Sequence, residues 1–334
     1  FFFKQKTAYE ILTCDWSSDV CSSDLADRSK ALGASEAAAV LGLNPYMTPF
    51  AVWASKMDPD AERTTSNAMK RGTYLESGVM RWTADELGAE VEQGIPLSEP
   101  GLLGPAPWLS VRPDGVLHYA DKPSELAEIK TSRILGTWGE SGTDNVPEHY
   151  LVQVMLQLAC VPVERARVGA YITSEDELRI YDIVRDDELI VQMLDKLDAW
   201  WYKHCDPKGP RVAPELDGGE ASASWLKRKH PAETAPLREA EQSEVELALR
   251  WKQLQAECTA LEMQADALKA QLQGIIGDAE GLSTPYGKVT WKAQAGAKRV
   301  DVKAMEAAHP DIVSKYRVAG EPIRVLRTTI KLPS

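Results

Sequence analysis

Arg112-Pro113-Asp114-Gly115, followed fourteen residues after the aspartate by Glu128-Ile129-Lys130, is the most informative part of this chain. With residues 128–130 on a strand, the two-residue side-chain period puts Glu128 and Lys130 on one face and turns Ile129 into the core. Asp114 opens the preceding strand-like run, Gly115 to His118, and a hairpin brings it to the same spot. Two carboxylates held close repel, so they need a cation between them or a raised pKa. A hard divalent ion such as Mg²⁺ takes oxygen ligands and retains waters, and a neighbouring amine orients or deprotonates such a water. The pattern is short, and in a charged chain it also arises by chance. A surface hairpin with a salt bridge is the competing reading.

Outward from this stretch, helical and strand-like segments alternate. Upstream, Ser35 precedes the apolar run Ala37 to Leu41, which Gly42 ends, and Thr48-Pro49 is a cap with proline in the first turn of a second helix. Ser66 to Leu87 reads as a longer helix closed by Gly88. Strands are expected at Trp108–Val111, Gly115–His118, Leu126–Thr131, Ala166–Thr173 and Leu178–Val184. One helix opens at Pro147 and runs to about Cys160, and another ends near Trp200-Trp201-Tyr202. Helices around mixed strands give an α/β core. Tyr150, Gln153 and Gln157 fall at i, i+3 and i+7, a polar face beside apolar Leu151, Val154, Met155 and Leu158 that suits the wall of a cleft.

The ends of the chain differ from this core. Residues 1–25, Phe1 to Leu25, have an apolar run too short and too interrupted for a signal peptide. Both halves back-translate onto the primers of a short-read sequencing library. They are expected to be contamination, with the natural protein starting near Ala26. Residues 26–206 form the core domain. Residues 207–236, rich in Pro, Gly, Ser and charge, read as a linker or surface excursion. Within 237–280, Leu247, Trp251, Leu254, Cys258, Leu261, Ala265, Leu268, Leu272 and Ile275 alternate steps of four and three. This heptad seam supports a helical hairpin or coiled coil, against the alternative of one amphipathic helix packed on its own domain. Residues 281–334 form a β-rich tail, with strands around Lys288–Lys292 and Ile323–Lys331, and hold ten Lys and Arg against four Asp and Glu. That local surplus suits a phosphate backbone, or is a solvated basic face.

Composition sets outer bounds. The 334 residues, 44% hydrophobic and 26% charged, make one large domain or two ordinary ones with a real core. No run approaches the eighteen or so apolar residues of a membrane span. A net charge of −12 argues against a generally basic binder while leaving room for local basic patches. Five cysteines without a C-x-x-C pair give neither a zinc site nor a disulfide framework, and a reducing cytoplasm is the expected location.

The segment Leu32-Gly33-Ala34-Ser35-Glu36-Ala37-Ala38-Ala39-Val40-Leu41-Gly42, then Asn44-Pro45-Tyr46 and Lys56, resembles the opening of the YqaJ-type viral recombinases, phage nucleases related to lambda exonuclease in the PD-(D/E)xK superfamily. The likeness continues through Arg71-Gly72-Thr73-Tyr74-Leu75-Glu76, the P-D and E-x-K elements at Asp114 and Glu128–Lys130, and Pro147 to Gln153 with Gln157. It implies a restriction-endonuclease-like core, a mixed central sheet flanked by helices, with a C-terminal helical or coiled-coil and small β extension. It further implies a Mg²⁺-dependent exonuclease, Mn²⁺ substituting and two ions bound, that degrades double-stranded DNA 5′→3′ and leaves 3′ tails for recombination.

By the same resemblance Asp114, Glu128, Glu76 and the Ile129 carbonyl ligate metal, Lys130 positions or activates water, and Gln153 belongs to the catalytic set. The resemblance puts Ser35 at the 5′-phosphate of the DNA end, with plain helix capping competing. Arg71 and Arg112, as guanidinium groups, either contact phosphates or neutralise the acidic cluster. Tyr150 and Gln157 either line the DNA cleft or form a solvated face. The expected partners are double-stranded DNA ends, a single-strand annealing recombinase and further copies of the chain, a ring trimer by likeness to the lambda enzyme. An endonuclease or RecB-like nuclease on the same core, or a non-catalytic DNA-binding or assembly protein, are the alternatives. For the tryptophans Trp108, Trp138, Trp200 and Trp201, stacking on an end base competes with core or rim packing, the commoner fate of tryptophan, and none is assigned.

Overall fold

A computed structural model describes residues 30–58, 66–93, 105–296, 300–318 and 324–330. The expected contaminant, residues 1–25, lies outside the described residues. The chain divides into two compact units after Arg228.

The first unit is built on a five-stranded sheet in the order β2-β4-β5-β6-β7. Its strands are β2 (Glu90–Gln93), β4 (Gly115–His118), β5 (Glu125–Ser132), β6 (Arg165–Ile172) and β7 (Glu177–Val184). Only β5 and β6 are parallel; β2–β4, β4–β5 and β6–β7 are antiparallel. Parallel neighbours need a crossover, which is supplied by helix α4 (Glu148–Cys160). A short pair, β1 (Leu32–Gly33) with β3 (Leu109–Ser110), stands apart from this sheet; β3 lies within the strand expected at Trp108–Val111, whereas β1 was not visible in the sequence pattern, because two residues carry no period.

Helices cover both faces. On one lies α3 (Asn67–Leu87), whose Val79, Met80 and Ala84 pack with Leu117, Ala127 and Ile129. Ser66 caps it by accepting the Met69 N–H at 3.2 Å, and Gly88 ends it in the left-handed region at φ 61°, where glycine has no steric cost. The approach of α3 to β6 is so close that a Cβ on Gly169 would sit 2.2 Å from Thr83 Oγ1. The other face joins the larger core cluster with α1 (Ala34–Val40), α2 (Pro49–Met57), α4 and α5 (Asp187–His204), where Leu126, Val168 and Ala170 meet Val154 and Leu158. Ile129 therefore points into the α3 layer while Glu128 and Lys130 point to the α4 side, as the alternation requires. Trp108, Trp138 and Trp201 are buried in the core.

The stretch expected as a linker is partly structured. Helix α6 (Glu220–Lys229) sets Trp225 against Phe50 and Trp53 of α2, with ring centroids 5.6 and 5.8 Å apart, and Arg228 ion-pairs with Asp58. One tryptophan in a polar stretch leaves no periodic trace, but it buries enough area to hold a short helix in place.

In the second unit the heptad segment is a single helix, α7 (Gln242–Ile276), and β8 (Gly281–Thr284) pairs with β9 (Gly287–Thr290). Two helices, α8 (Val302–Ala308) and α9 (Pro310–Tyr316), occupy part of the tail expected to be β-rich. The strand expected over Ile323–Lys331 is corrected: residues 324–330 are neither helix nor strand, and both its end residues lie outside the described set. A strand needs a partner for its N–H and C=O groups, and β8 and β9 are paired with each other. Among the described residues no helix is long and apolar enough to cross a membrane.

Candidate active site

The β4–β5 ladder ends at the pair Gly115–Ala127, and a side chain continues it: Asp114 Oδ2 accepts the Ile129 N–H at 2.7 Å. In a strand the N–H and C=O of one residue point to the same side, so the Ile129 carbonyl turns toward Asp114 as well. Glu128, only 2% exposed, projects from the α4 face of β5. Its Oε1 accepts hydrogen bonds from Lys130 Nζ and from Gln153 Nε2, and its Oε2 accepts one from Gln157 Nε2 at 2.7 Å. Gln157 also donates to the Arg112 carbonyl at 3.4 Å, tying the Pro113 segment to α4. Lys130 Nζ stands 5.1 Å from the centre of the Tyr150 ring, which stacks on Trp138 at 5.3 Å.

These contacts explain the electrostatics. Burial, then the charge of Glu128, pushes the Asp114 carboxyl up to about 8, against the opposing pull of Lys130 and the Ile129 N–H; Glu76 adds a smaller push. Burial alone would lower the Lys130 ammonium, but Glu128 and Asp114 overcome it and hold its pKa above the usual lysine range. Burial raises the Tyr150 phenol, while burial and the Lys130 charge lower His149.

The donor set fits a hard divalent cation. Asp114, Glu128 and the Ile129 carbonyl are oxygen donors, and a cation beside them would let Asp114 ionise. Gln157 Oε1 is buried and lacks a hydrogen-bond partner among the described residues, a place for an ordered ligand or water. No three His, Cys, Asp or Glu side chains among the described residues converge closely enough to form a metal cluster by themselves. Glu76, exposed on α3, acts on Asp114 through its charge without completing such a group.

Residues 25–164 match the family model described as the YqaJ-like viral recombinase domain. That segment is similar to this family. The uncharacterized protein YqaJ of Bacillus subtilis (strain 168) is 27% identical over 302 residues, 88% of this chain and 89% of that protein. Among solved structures, the alkaline exonuclease LHK-Exo from Laribacter hongkongensis is 22% identical with a TM-score of 0.38, covering 62% of this chain and 97% of its own. A phage related exonuclease from Haemophilus somnus 129PT is 11% identical with a TM-score of 0.39, covering 51% and 91%.

The matched segment contains every candidate site residue, while all of β6, β7 and α5 follow it in the chain. Asp114, Glu128, Lys130, Gln153 and Tyr150 gather on one patch, with the Ile129 backbone beside them. Gln157, expected as a phosphate contact, is 1% exposed and donates to Glu128, an arrangement that positions that carboxylate. Ser35 is exposed at the second residue of α1 and does not cap it. That end is closed by Glu36, which accepts the Gly33 N–H at 2.8 Å and pairs with Lys56 at 2.6 Å. Arg112 is exposed beside Asp114, and Arg71 is half-buried on α3.

Two residues of the matched segment were given no role from the sequence. His149 packs on Tyr150 with ring centroids 4.0 Å apart, and Tyr46, which is exposed, meets His149 edge-on at 5.9 Å. The Asn44-Pro45-Tyr46 motif signalled the tyrosine, but only tertiary contact links it to Lys130 through the rings of His149 and Tyr150.

Proposed function

We propose that this chain is a divalent-metal-dependent deoxyribonuclease that degrades double-stranded DNA from its ends, 5′→3′, and leaves 3′ single-stranded tails for recombination. The observation that carries the reading is the convergence of Asp114, Glu128 and Lys130 at the edge where the β4–β5 ladder stops. A buried acid pair with an ammonium beside it is costly to keep, and hydrolysis of a phosphodiester is a chemistry that uses all three groups.

In this reading Asp114, Glu128 and the Ile129 carbonyl hold Mg²⁺ or Mn²⁺, and Glu76 is the residue that a second ion would recruit. The metal supplies Lewis acidity at the scissile phosphate and lowers the pKa of bound water. Gln153 and Gln157 fix the Glu128 carboxylate, so its oxygens meet the reaction in one orientation. Lys130, held as an ammonium, donates to the attacking water and offsets the negative charge that builds at phosphorus. Tyr150 stays a neutral phenol and donates toward a phosphate oxygen. Arg112 and Arg71 supply guanidinium contacts to the backbone, and the Ser35 hydroxyl a contact to the terminal phosphate. A single-strand annealing recombinase in the bacterial cytoplasm is the partner suited to the tailed product.

The test is a degradation assay on linear 5′-phosphorylated duplex and on covalently closed circles, with Mg²⁺, Mn²⁺ or chelator. Release of mononucleotides from linear DNA only, and only with metal, is the expected result. Nicking or cutting of circles would move the assignment to an endonuclease, and binding without loss of DNA would move it to a scaffold.

A further inference from the structure

Helix α7 is 35 residues long and, among the described residues, its heptad seam is exposed at every position but the half-buried Trp251: Leu247 is 72% exposed, Leu261 63% and Ile275 71%. Helices gain most of their stability from packing an apolar face, so nine such positions in a row call for a cover. The spacing identifies its kind. Alternating steps of four and three from 247 to 275 follow the 3.5-residue repeat of a helix lying lengthwise along another helix, whereas a face packed on a globular core is broader and repeats every 3.6.

We propose that α7 pairs antiparallel with α7 of a second copy of this chain. In a parallel pair each seam residue would meet itself. Trp251 on Trp251 overfills one layer, Ala265 on Ala265 leaves another nearly empty, and Glu257 stands against Glu262 of the other copy. The antiparallel pair centred between Thr259 and Ala260 removes all three faults. Cys258 then faces Leu261 and Ala265 faces Leu254, so each small residue is filled by a leucine. Along the flanks Glu257 meets Gln264 and Glu262 meets Gln255, with no like charges opposed. The pairing is two-fold and self-complementary, which closes the assembly at this interface. It sets the two starts of α7 about 50 Å apart.

Sedimentation of the full chain at tens of micromolar tests the pairing. The wild type is expected to run as an assembly whose mass halves in the Leu254→Lys, Leu268→Lys double variant, with the first unit melting as before. A monomeric wild type, or a double variant of unchanged mass, overturns the proposal. Oxidation tests the orientation in a Cys14→Ser, Cys21→Ser background, since Cys258 is exposed and Cys160 and Cys205 are buried. Leu261→Cys in that background is expected to cross-link two copies through Cys258, and the background chain is not. Cross-linking of the background itself, or of neither chain, overturns the antiparallel pairing.

Discussion

Asp114 and Ile129 are joined by a single hydrogen bond of 2.7 Å, from the Ile129 N–H to the Asp114 carboxylate, at the point where two strands cease to pair. A side chain replaces the next rung of the ladder. The Ile129 carbonyl is turned to the same edge, and the neighbours of Ile129 on β5, Glu128 and Lys130, complete the group from the opposite face of the strand to the Ile129 side chain.

Burial and the Glu128 charge favour the protonated form of the Asp114 carboxyl in the fold relative to the unfolded chain. Its pKa of about 8 in the fold lies above the unfolded value, so stability falls as pH rises through the window between them. Asp114→Asn keeps an acceptor for the Ile129 N–H and removes that burden. In the absence of metal the variant is expected to melt higher than wild type, by about 2–4 °C for each kcal/mol relieved, with a gain that grows from pH 4 to pH 8. Its DNA cleavage should be lost. Equal melting temperatures at pH 8 would contradict the electrostatic account.

Lys130→Ala separates chemistry from binding. The ammonium sits against Glu128 inside the site, so its removal is expected to lower kcat by roughly 10²–10⁴-fold and to leave the DNA dissociation constant within about threefold. Gel-shift titration and single-turnover cleavage read the two effects, and unchanged cleavage would remove Lys130 from the mechanism.

Glu125, on the opposite face of β5 from Glu128, serves stability. Burial opposes its charge, but hydrogen bonds from Arg167, Lys122 and Tyr119 at 2.8–3.0 Å outweigh that and hold its pKa down at about 2. The stabilisation is complete above the unfolded value and is lost as pH falls through 2. Glu125→Gln is expected to cost about 3 kcal/mol near pH 7 and much less near pH 2. Urea melts at the two pH values measure it; a pH-independent cost would refute the ionic cause.

Gly169 marks the contact between α3 and β6. A methyl at this position would overlap Thr83 Oγ1, so Gly169→Ala is expected to cost about 1–3 kcal/mol. Adding Thr83→Ala should recover part of the loss, and strict additivity in denaturant unfolding would show that the two side chains do not compete for that space.

Strand and helix content was legible where a period ran long enough to be read. The alternation from Leu126 to Thr131 carried β5, and Tyr150, Gln153 and Gln157 carried the inward face of α4. The two-residue β1, the short helices α8 and α9, and α6, held by Trp225, left no such pattern, since their stability comes from contacts distant in the chain or from very local caps. At the site, the acids and the lysine were readable from spacing. The burial of Gln157, the capping of α1 by Glu36 and the approach of Tyr46 to His149 were not.

Local chemistry, then, was enough to name Asp114, Glu128 and Lys130 and to assign them to one face or one hairpin, because a strand's two-residue period is a covalent property of the backbone. Folding added what spacing cannot hold. It brought α4 across the crossover onto β5, excluded water from Glu128, and let two carboxyl groups and an ammonium share one low-dielectric pocket, where burial and Glu128 raise the Asp114 pKa and the charges of Glu128 and Asp114 raise that of Lys130.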